Sequence, residues 1–319
     1  MSTTELLDAA LSAAGRGWRV FPLLAGAKRP ALHGYDRCPR AGACAERHLG
    51  WEQRATDNPD RIRAAWSAGA FNVGIACGPS GLVVLDLDAP KPDDEVPEHW
   101  AQTPGVADGQ DVLAVLAEHA GVELPADTHT VATPSGGLHL YYQAPAETAL
   151  RNTEGARGRG LGWKIDTRAN GGYVVGPGSI LGPREQGSAY RVLAEREPAP
   201  LPEWLVERLT PAQPPTVPVA PIRTGRGERD RYLNAAIHGE TAKVLDARAS
   251  GRNSALYAAA LALGQLVAGG ALTEAEVIAA LLSAASKHIA LGAYSDRQAH
   301  QTIASGIRAG AHRPRQVAA

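Results

Sequence analysis

The sequence predicts an α+β domain over residues 1–210, a Pro/Gly-rich linker over 211–227 and a small all-helical domain over 228–319. Three observations carry this division. The run Pro211-Ala-Gln-Pro-Pro-Thr-Val-Pro-Val-Ala-Pro221, followed by Arg223-Thr-Gly-Arg-Gly227, lacks backbone donors and favours extended chain, so it marks a seam. Before it, short apolar runs mix with Gly/Pro turns and helical stretches, an α+β pattern with a mixed or antiparallel sheet. After it, the chain turns Ala/Leu-rich at helical spacing. A length of 319 residues also exceeds that of most single domains, which suits one large and one small unit.

In order, Glu5 to Ala14 reads as a helix and Trp18-Arg-Val-Phe-Pro-Leu23 as a strand. Asp60 to Ala68 is a helix capped by Asn58-Pro59 or Asp60. Gly81-Leu-Val-Val-Leu-Asp-Leu-Asp88 is apolar almost throughout, as expected of a strand inside a sheet. Asp111 to Ala120 is a helix. His129 to Thr133 and Leu138 to Tyr142 flank Pro134-Ser-Gly-Gly137 and form a hairpin. Trp163 to Asp166 and Tyr173 to Gly176 are expected to form a second β pair around Asn170-Gly-Gly172. The tail holds two helical segments, Ser254 to Gly269 and Thr273 to Ser286, the latter opened by a Thr273/Glu276 capping box. No fixed-period repeat is present.

Composition narrows the function. With 44% hydrophobic and 20% charged residues this is a soluble globular chain. No apolar run of about eighteen residues exists, so no membrane partner is expected. The start, Met1-Ser2-Thr3-Thr4-Glu5, is polar and lacks a signal-peptide layout. Three cysteines argue against a disulfide framework, and a cytoplasmic location is expected. Two Phe and one Met beside 35 Gly and 23 Pro suggest a high-GC genome, so Arg richness alone carries little weight. The net charge of −1 does not announce a nucleic-acid binder, but charge is uneven. From Pro221 onward twelve Lys+Arg stand against seven Asp+Glu, and before it twenty against twenty-six. An acidic body with a basic tail suits a metal-binding core plus an accessory nucleic-acid contact; random scatter between two domains explains it as well.

The chemistry gathers around Asp86-Leu87-Asp88. Alternate strand residues share a face, so the two carboxylates point the same way about 7 Å apart. Bringing them together at the end of an apolar strand is costly unless a hard cation such as Mg²⁺ or Mn²⁺ neutralises them. A strand simply ending in solvent, or a sugar-nucleotide transferase site, fits the bare triplet too. Ser135-Gly136-Gly137-Leu138-His139 adds a turn whose backbone N–H groups can approach phosphate, with a hydroxyl and an imidazole beside it. Asp166 could complete a three-carboxylate site for in-line phosphoryl displacement. Lys28 and Arg168 are candidates to neutralise a triphosphate. Arg151, Arg157, Arg159, Lys164 and Arg168 could form a local basic channel for template, beside a Gly-rich stretch, Gly155 to Gly162, expected to order on template or nucleotide.

Taken in order, these stretches resemble the bifunctional primase/polymerase (Prim-Pol) domain of the archaeo-eukaryotic primase superfamily, of the type carried by actinobacterial plasmids, phages and integrative elements. The matching residues are Gly17-Trp18-Arg-Val-Phe-Pro-Leu23, Ala27-Lys28-Arg-Pro30, Asn72 to Asp88, Thr133-Pro-Ser135-Gly-Gly-Leu-His139, and Ile165-Asp166-Thr-Arg168 leading to Gly171-Gly-Tyr-Val-Val-Gly-Pro-Gly-Ser179. The likeness runs from about residue 5 to 207, ending with Leu201-Pro-Glu-Trp204-Leu. It implies an RRM-like catalytic core and template-directed primer synthesis on single-stranded DNA from NTPs or dNTPs. It further implies two-metal chemistry on Asp86, Asp88 and Asp166, with Ser135 and His139 holding the incoming phosphates. The helical tail is similar to the small primase C-terminal module. No Gly-x-x-x-x-Gly-Lys-Ser/Thr loop is present, so unwinding is expected from a separate helicase or replication initiator.

His33, Cys38, Cys44 and His48 form a compact N/S set within sixteen residues, suited to tetrahedral, structural Zn²⁺ in an insertion at about 33–48. Its spacing is not that of a common zinc finger, and His33 is the least secure ligand. Cys77, at an apolar strand end, reads as packing. Two other functions compete with primer synthesis. A metal-dependent nuclease or phosphotransferase would need no nucleoside triphosphate. A non-catalytic DNA-binding replication-initiation module would bind DNA without synthesis.

Overall fold

The computed structural model describes residues 2–34, 37–155, 160–182, 188–210, 222–223, 228–248 and 251–318. Apart from Ile222-Arg223, the proline-rich linker lies outside the described residues, as do Arg157 and Arg159 of the suggested basic channel. The chain divides into two compact units, Met1–Ala212 and Gln213–Ala319.

The first unit opens with α1 (Thr3–Gly15), fixed by a capping box between Ser2 and Glu5. β1 (Val20–Leu23), α2 (Trp51–Arg54), α3 (Pro59–Ser67) and β2 (Asn72–Ala76) follow. Asn58 caps α3, accepting from the backbone N–H groups of Asp60 and Arg61, with Pro59 in the first turn where its missing donor is harmless. β3 (Leu82–Leu87) comes next, then α4 (Glu98–Ala101) and α5 (Gly109–Ala120). α5 starts two residues before the predicted Asp111 because the Asp108 carboxylate accepts from the N–H groups of Gln110 and Asp111. β4 (His129–Ala132) and β5 (Leu138–Gln143) form the expected antiparallel hairpin. β6 (Ile165–Arg168), β7 (Tyr173–Val175), β8 (Ile180–Leu181), β9 (Ser188–Ala189), β10 (Arg191–Ala194), β11 (Ala199–Pro200) and α6 (Glu203–Leu209) complete the unit.

The strands form two principal sheets. One runs β1-β2-β7; the other runs β10-β4-β5-β3-β6, with β11 added in parallel to β5. The expected second β pair is therefore corrected. β6 pairs with β3 and β7 pairs with β2, so Ala169 to Gly172 carries the chain from one sheet to the other. A Gly-rich turn between two strands looks like a hairpin locally; the apolar partners offered by β2 and β3 decide otherwise.

Alternation along β3 divides the core in two. Leu82 and Val84, with Val131 and Tyr141, pack toward the β1-β2-β7 sheet, α1 and α3. Val83, Leu85 and Leu87, with Leu140, Tyr142 and Ile165, pack under α5 and α6. Both faces of β3 are thus buried, which is why its sequence is apolar almost throughout.

The second unit holds α7 (Glu228–Leu245), α8 (Arg252–Ala268), α9 (Glu274–Ala290) and α10 (Asp296–Ala311) around Leu256, Leu263, Leu281 and Ile303. The Thr273/Glu276 capping box opens α9 as predicted. α8 and α10 meet closely enough that a Cβ on Gly306 would stand 2.5 Å from the Ala260 Cβ. The unit is not purely helical: β12 (Ile222–Arg223) pairs in parallel with β13 (Val317–Ala318). A two-residue pair closed by distant segments leaves no periodic trace in the sequence.

Candidate active site

Asp86 lies on β3 between two partners in register. His139 on β5 stands opposite it on one side and Asp166 on β6 on the other. Directly opposed residues share a face, so the ladder places all three groups on the side facing the β1-β2-β7 sheet. There the apolar packing of Val84 and Tyr141 gives way to a cleft of about 280 Å³, bordered by Lys28, Asp86, His139, Arg168, Tyr173 and Tyr190.

The side chains interlock. His139 Nε2 is 3.3 Å from Asp86 Oδ1. Arg168 Nη2 donates to Asp166 Oδ2 at 2.8 Å and lies 3.8 Å from Asp86 Oδ2. The Gly155 N–H donates to Asp166 Oδ1 at 3.1 Å. Burial works to raise the Asp86 carboxyl, but the His139 hydrogen bond and the charges of His139, Arg168 and Lys28 outweigh it and hold Asp86 below the usual range. Asp88 is pushed the other way, by burial first and then by the negative charges of Asp86 and Asp166. Asp166 is also raised, chiefly by burial, despite Arg168. One carboxylate is held ionised while its two neighbours resist ionisation.

Asp88 stands one residue beyond the end of β3. Its N–H donates to the Lys164 carbonyl at 2.9 Å and its carbonyl accepts from the Gly109 N–H at 3.1 Å, tying β3 to β6 and to the start of α5. The Ser135–Gly137 turn packs on the same strand end: a Cβ on Gly137 would lie 2.3 Å from the Leu87 carbonyl oxygen and 3.3 Å from the Asp88 Cα. Thr133 Oγ1 accepts from the Gly137 N–H at 3.0 Å and is 3.1 Å from Ser135 Oγ. Gly136 and Gly137 line a second, neighbouring cleft of about 510 Å³, whereas His139 lines the Asp86 cleft. Among the other predicted basic residues, Lys164 pairs with Asp94 and its charge acts on Asp88, while Arg151 is exposed beside Gly171.

The sequence comparison decides the family. A family model for the N-terminal domain of bifunctional DNA primase/polymerases matches residues 10–204. The chain belongs to the bifunctional DNA primase/polymerase family. No curated protein matches it. Membership implies DNA primase/polymerase activity of the nucleotidyltransferase type, with DNA and nucleotides as substrates. In this Prim-Pol domain the three acids offer hard oxygen donors, and the raised Asp88 and Asp166 carboxyls are the electrostatic condition a divalent cation relieves, so the donor set fits Mg²⁺ or Mn²⁺. Their oxygens are not gathered as tightly as those of a preformed cage. Among the described residues, the cluster whose ligand atoms all lie within 4.8 Å of one another is His33, Cys38, Cys44 and His48.

Three cleft residues escaped the sequence reasoning. Asn152, Tyr173 and Tyr190 reach the cleft from a loop, from β7 and from the approach to β10. Tyr173 sat in a quoted motif but read as strand packing; Asn152 and Tyr190 carry no local signal. Cys77 is fully buried, and burial pushes its thiol up to about 12, in keeping with a packing role. Among the described residues no helix is long and apolar enough to cross a membrane.

Proposed function

We propose that this protein is a cytoplasmic DNA-dependent primase/polymerase that builds primers on single-stranded DNA from NTPs or dNTPs during replication of a mobile element. The observation that carries this is the cross-strand row His139–Asp86–Asp166 over a cleft edged by Lys28 and Arg168. The order β4-β5-β3-β6, built from the succession β3-α4-α5-β4-β5-β6, supports the RRM-like core that the family resemblance implies.

Asp86, Asp88 and Asp166 would hold the catalytic Mg²⁺ or Mn²⁺. When bound, such ions lower the pKa of an attacking hydroxyl and take up charge on departing pyrophosphate. The chain's own groups do the rest. His139 fixes the Asp86 carboxylate by its 3.3 Å contact and borders the cleft on the side assigned to the incoming phosphates. Lys28 and Arg168 place positive charge where a triphosphate would lie. The Gly136 and Gly137 N–H groups are taken up by Thr133, so the Ser135 hydroxyl is the group of this turn assigned to phosphate. Zn²⁺ is assigned to His33, Cys38, Cys44 and His48, because thiolate and imidazole donors select it over the hard cations of the acid site.

The test is synthesis on circular single-stranded DNA with labelled NTPs or dNTPs, with and without Mn²⁺. Template-dependent products with pyrophosphate release are expected. Cleavage of the template without nucleotide, or DNA binding with no synthesis under any metal, would overturn the assignment in favour of a nuclease or a non-catalytic module respectively.

A further inference from the structure

The His33–His48 segment is anchored at both ends on β1, and the chain on either side of it reaches the wall of the Asp86 cleft. Leu23 bridges to Pro30 before it and Val20 bridges to Thr56 after it. On the way in lies Lys28, which lines the cleft and whose carbonyl accepts from the Tyr173 hydroxyl at 3.0 Å. On the way out lies α2, three residues beyond His48. Trp51 packs its ring 5.0 Å from Phe21 and 4.9 Å from Tyr173. Glu52 Oε1 accepts from the Gly171 N–H at 3.0 Å, and Gly171 is part of the cleft wall.

The segment itself is shaped for a metal. Zinc–sulfur and zinc–nitrogen bonds of about 2.3 and 2.0 Å set tetrahedral donors roughly 3.3–3.8 Å apart. His33 Nε2 and Cys44 Sγ stand 3.5 Å apart, and the Leu49 N–H points at Cys44 Sγ from 3.4 Å, as a donor to a thiolate does. Arg54, at the end of α2, reaches within 3.5 Å of His33 Nδ1, so α2 contacts the metal cluster as well as the cleft. Cys44 is 1% exposed. α2 has only four residues, far too few to hold its shape alone, so its position depends on its surroundings: the cluster before it, the Thr56–Val20 bridge after it and the rings packed on Trp51.

We propose that zinc on His33, Cys38, Cys44 and His48 sets the position of α2, and that α2, through Glu52 and Trp51, holds the Gly171–Tyr173 wall of the cleft in its nucleotide-binding form. Zinc is thus a positioning element for the nucleotide. The inference rests on the assignment of the Asp86 cleft to a nucleoside triphosphate. Coupling of this kind is reciprocal: if zinc tightens nucleotide binding, nucleotide tightens zinc binding by the same free energy.

The experiment compares zinc-loaded and chelator-stripped full-length protein, with Cys44→Ser, Glu52→Ala and Glu52→Gln. Metal content, hydrogen exchange across residues 168–175, and binding of ATP and dATP by calorimetry are measured. About one zinc per chain is expected in the wild type, and none in Cys44→Ser. Stripping should speed exchange at Gly171–Tyr173 and weaken nucleotide binding about fivefold or more. Glu52→Ala should do both with zinc still bound, and Glu52→Gln, which keeps an acceptor oxygen, should recover most of the loss. Because Glu52→Ala retains the metal, it decides the matter even if the cysteine variant fails to fold. Unchanged exchange and unchanged binding in Glu52→Ala and in stripped protein would overturn the coupling. A zinc-free wild type would overturn the metal site. Zinc-dependent exchange in a protein that binds neither nucleotide would instead overturn the assignment of the cleft.

Discussion

Asp86 and Asp166 face each other directly across the β3–β6 ladder, and a single guanidinium, that of Arg168, sits 2.8 Å from one and 3.8 Å from the other. Like charges directly opposed on a sheet are destabilising. The ladder holds them there because each strand is pinned by apolar neighbours: Leu85 and Leu87 on β3, Ile165 on β6. The fold therefore imposes a repulsion that Arg168 only partly relieves.

Asp86→Asn should abolish primer synthesis, by about a hundredfold or more, since the variant loses the charge on which both the metal and His139 depend. Its amide is isosteric but gives up the ion-pair contacts with His139 and Arg168, so the variant should still fold cooperatively, with a melting temperature somewhat below that of the wild type. Primer extension and thermal unfolding, run on one preparation, check both halves. Near-normal extension would remove Asp86 from the chemistry.

Asp88→Asn should melt above the wild type at pH 7.5 in EDTA. The Asp88 carboxyl titrates above its unfolded value, so its penalty on folding is fully present above the folded pKa and absent below the unfolded one. The difference should accordingly vanish below about pH 4. Asp86, held low, works in the opposite sense: its contribution is present above the unfolded pKa and is lost as pH falls through the folded one. Mn²⁺ should raise the wild type more than the variant, because it binds the folded wild type better. Differential scanning fluorimetry across pH, with and without Mn²⁺, reads all of this.

Arg168→Ala should separate two kinds of binding. It removes a cation from the triphosphate path, so the KM for nucleotide should rise about tenfold. It also frees the Asp166 carboxylate from its 2.8 Å partner, so Mn²⁺ should bind more tightly. Calorimetric titration of Mn²⁺ and steady-state kinetics should move in opposite directions.

Gly137→Ala should destabilise the first unit by about 1–3 kcal/mol, because the new Cβ would stand 2.3 Å from the Leu87 carbonyl and force the turn off the strand end. Urea unfolding followed by tryptophan fluorescence measures this, and a variant as stable as the wild type would show that the turn can lift at no cost.

Much of this was legible in the sequence, and the parts that were not share a cause. β3, the His129–Gln143 hairpin, α3 and the α9 cap could be read because each announces itself within a few residues, by an apolar run, a Gly turn or a capping pair. Asp86, His139, Asp166, Arg168 and Lys28 stood out as chemistry in motifs, and the structure brings these five together. Partnership across the sheets was hidden. That β6 belongs to β3 and β7 to β2 is settled by which apolar faces meet, over separations no local window spans. α10 carried a readable signal, Ser295 with Gln298, that a search for Ala/Leu richness passed over. Asn152 and Tyr190 enter the cleft through loops whose course depends on the whole fold.

The crossing at Ala169 to Gly172 has a consequence for how such a domain can change. One jaw of the cleft is the six-stranded sheet bearing the acids; the other is the three-stranded sheet bearing Tyr173, and four residues join them. Gly171 and Gly172 line the cleft themselves, so a longer or shorter joint would reshape this wall while the packed core keeps every carboxylate in its ladder. Substrate size could then drift in evolution, or be adjusted by design, without disturbing the reaction.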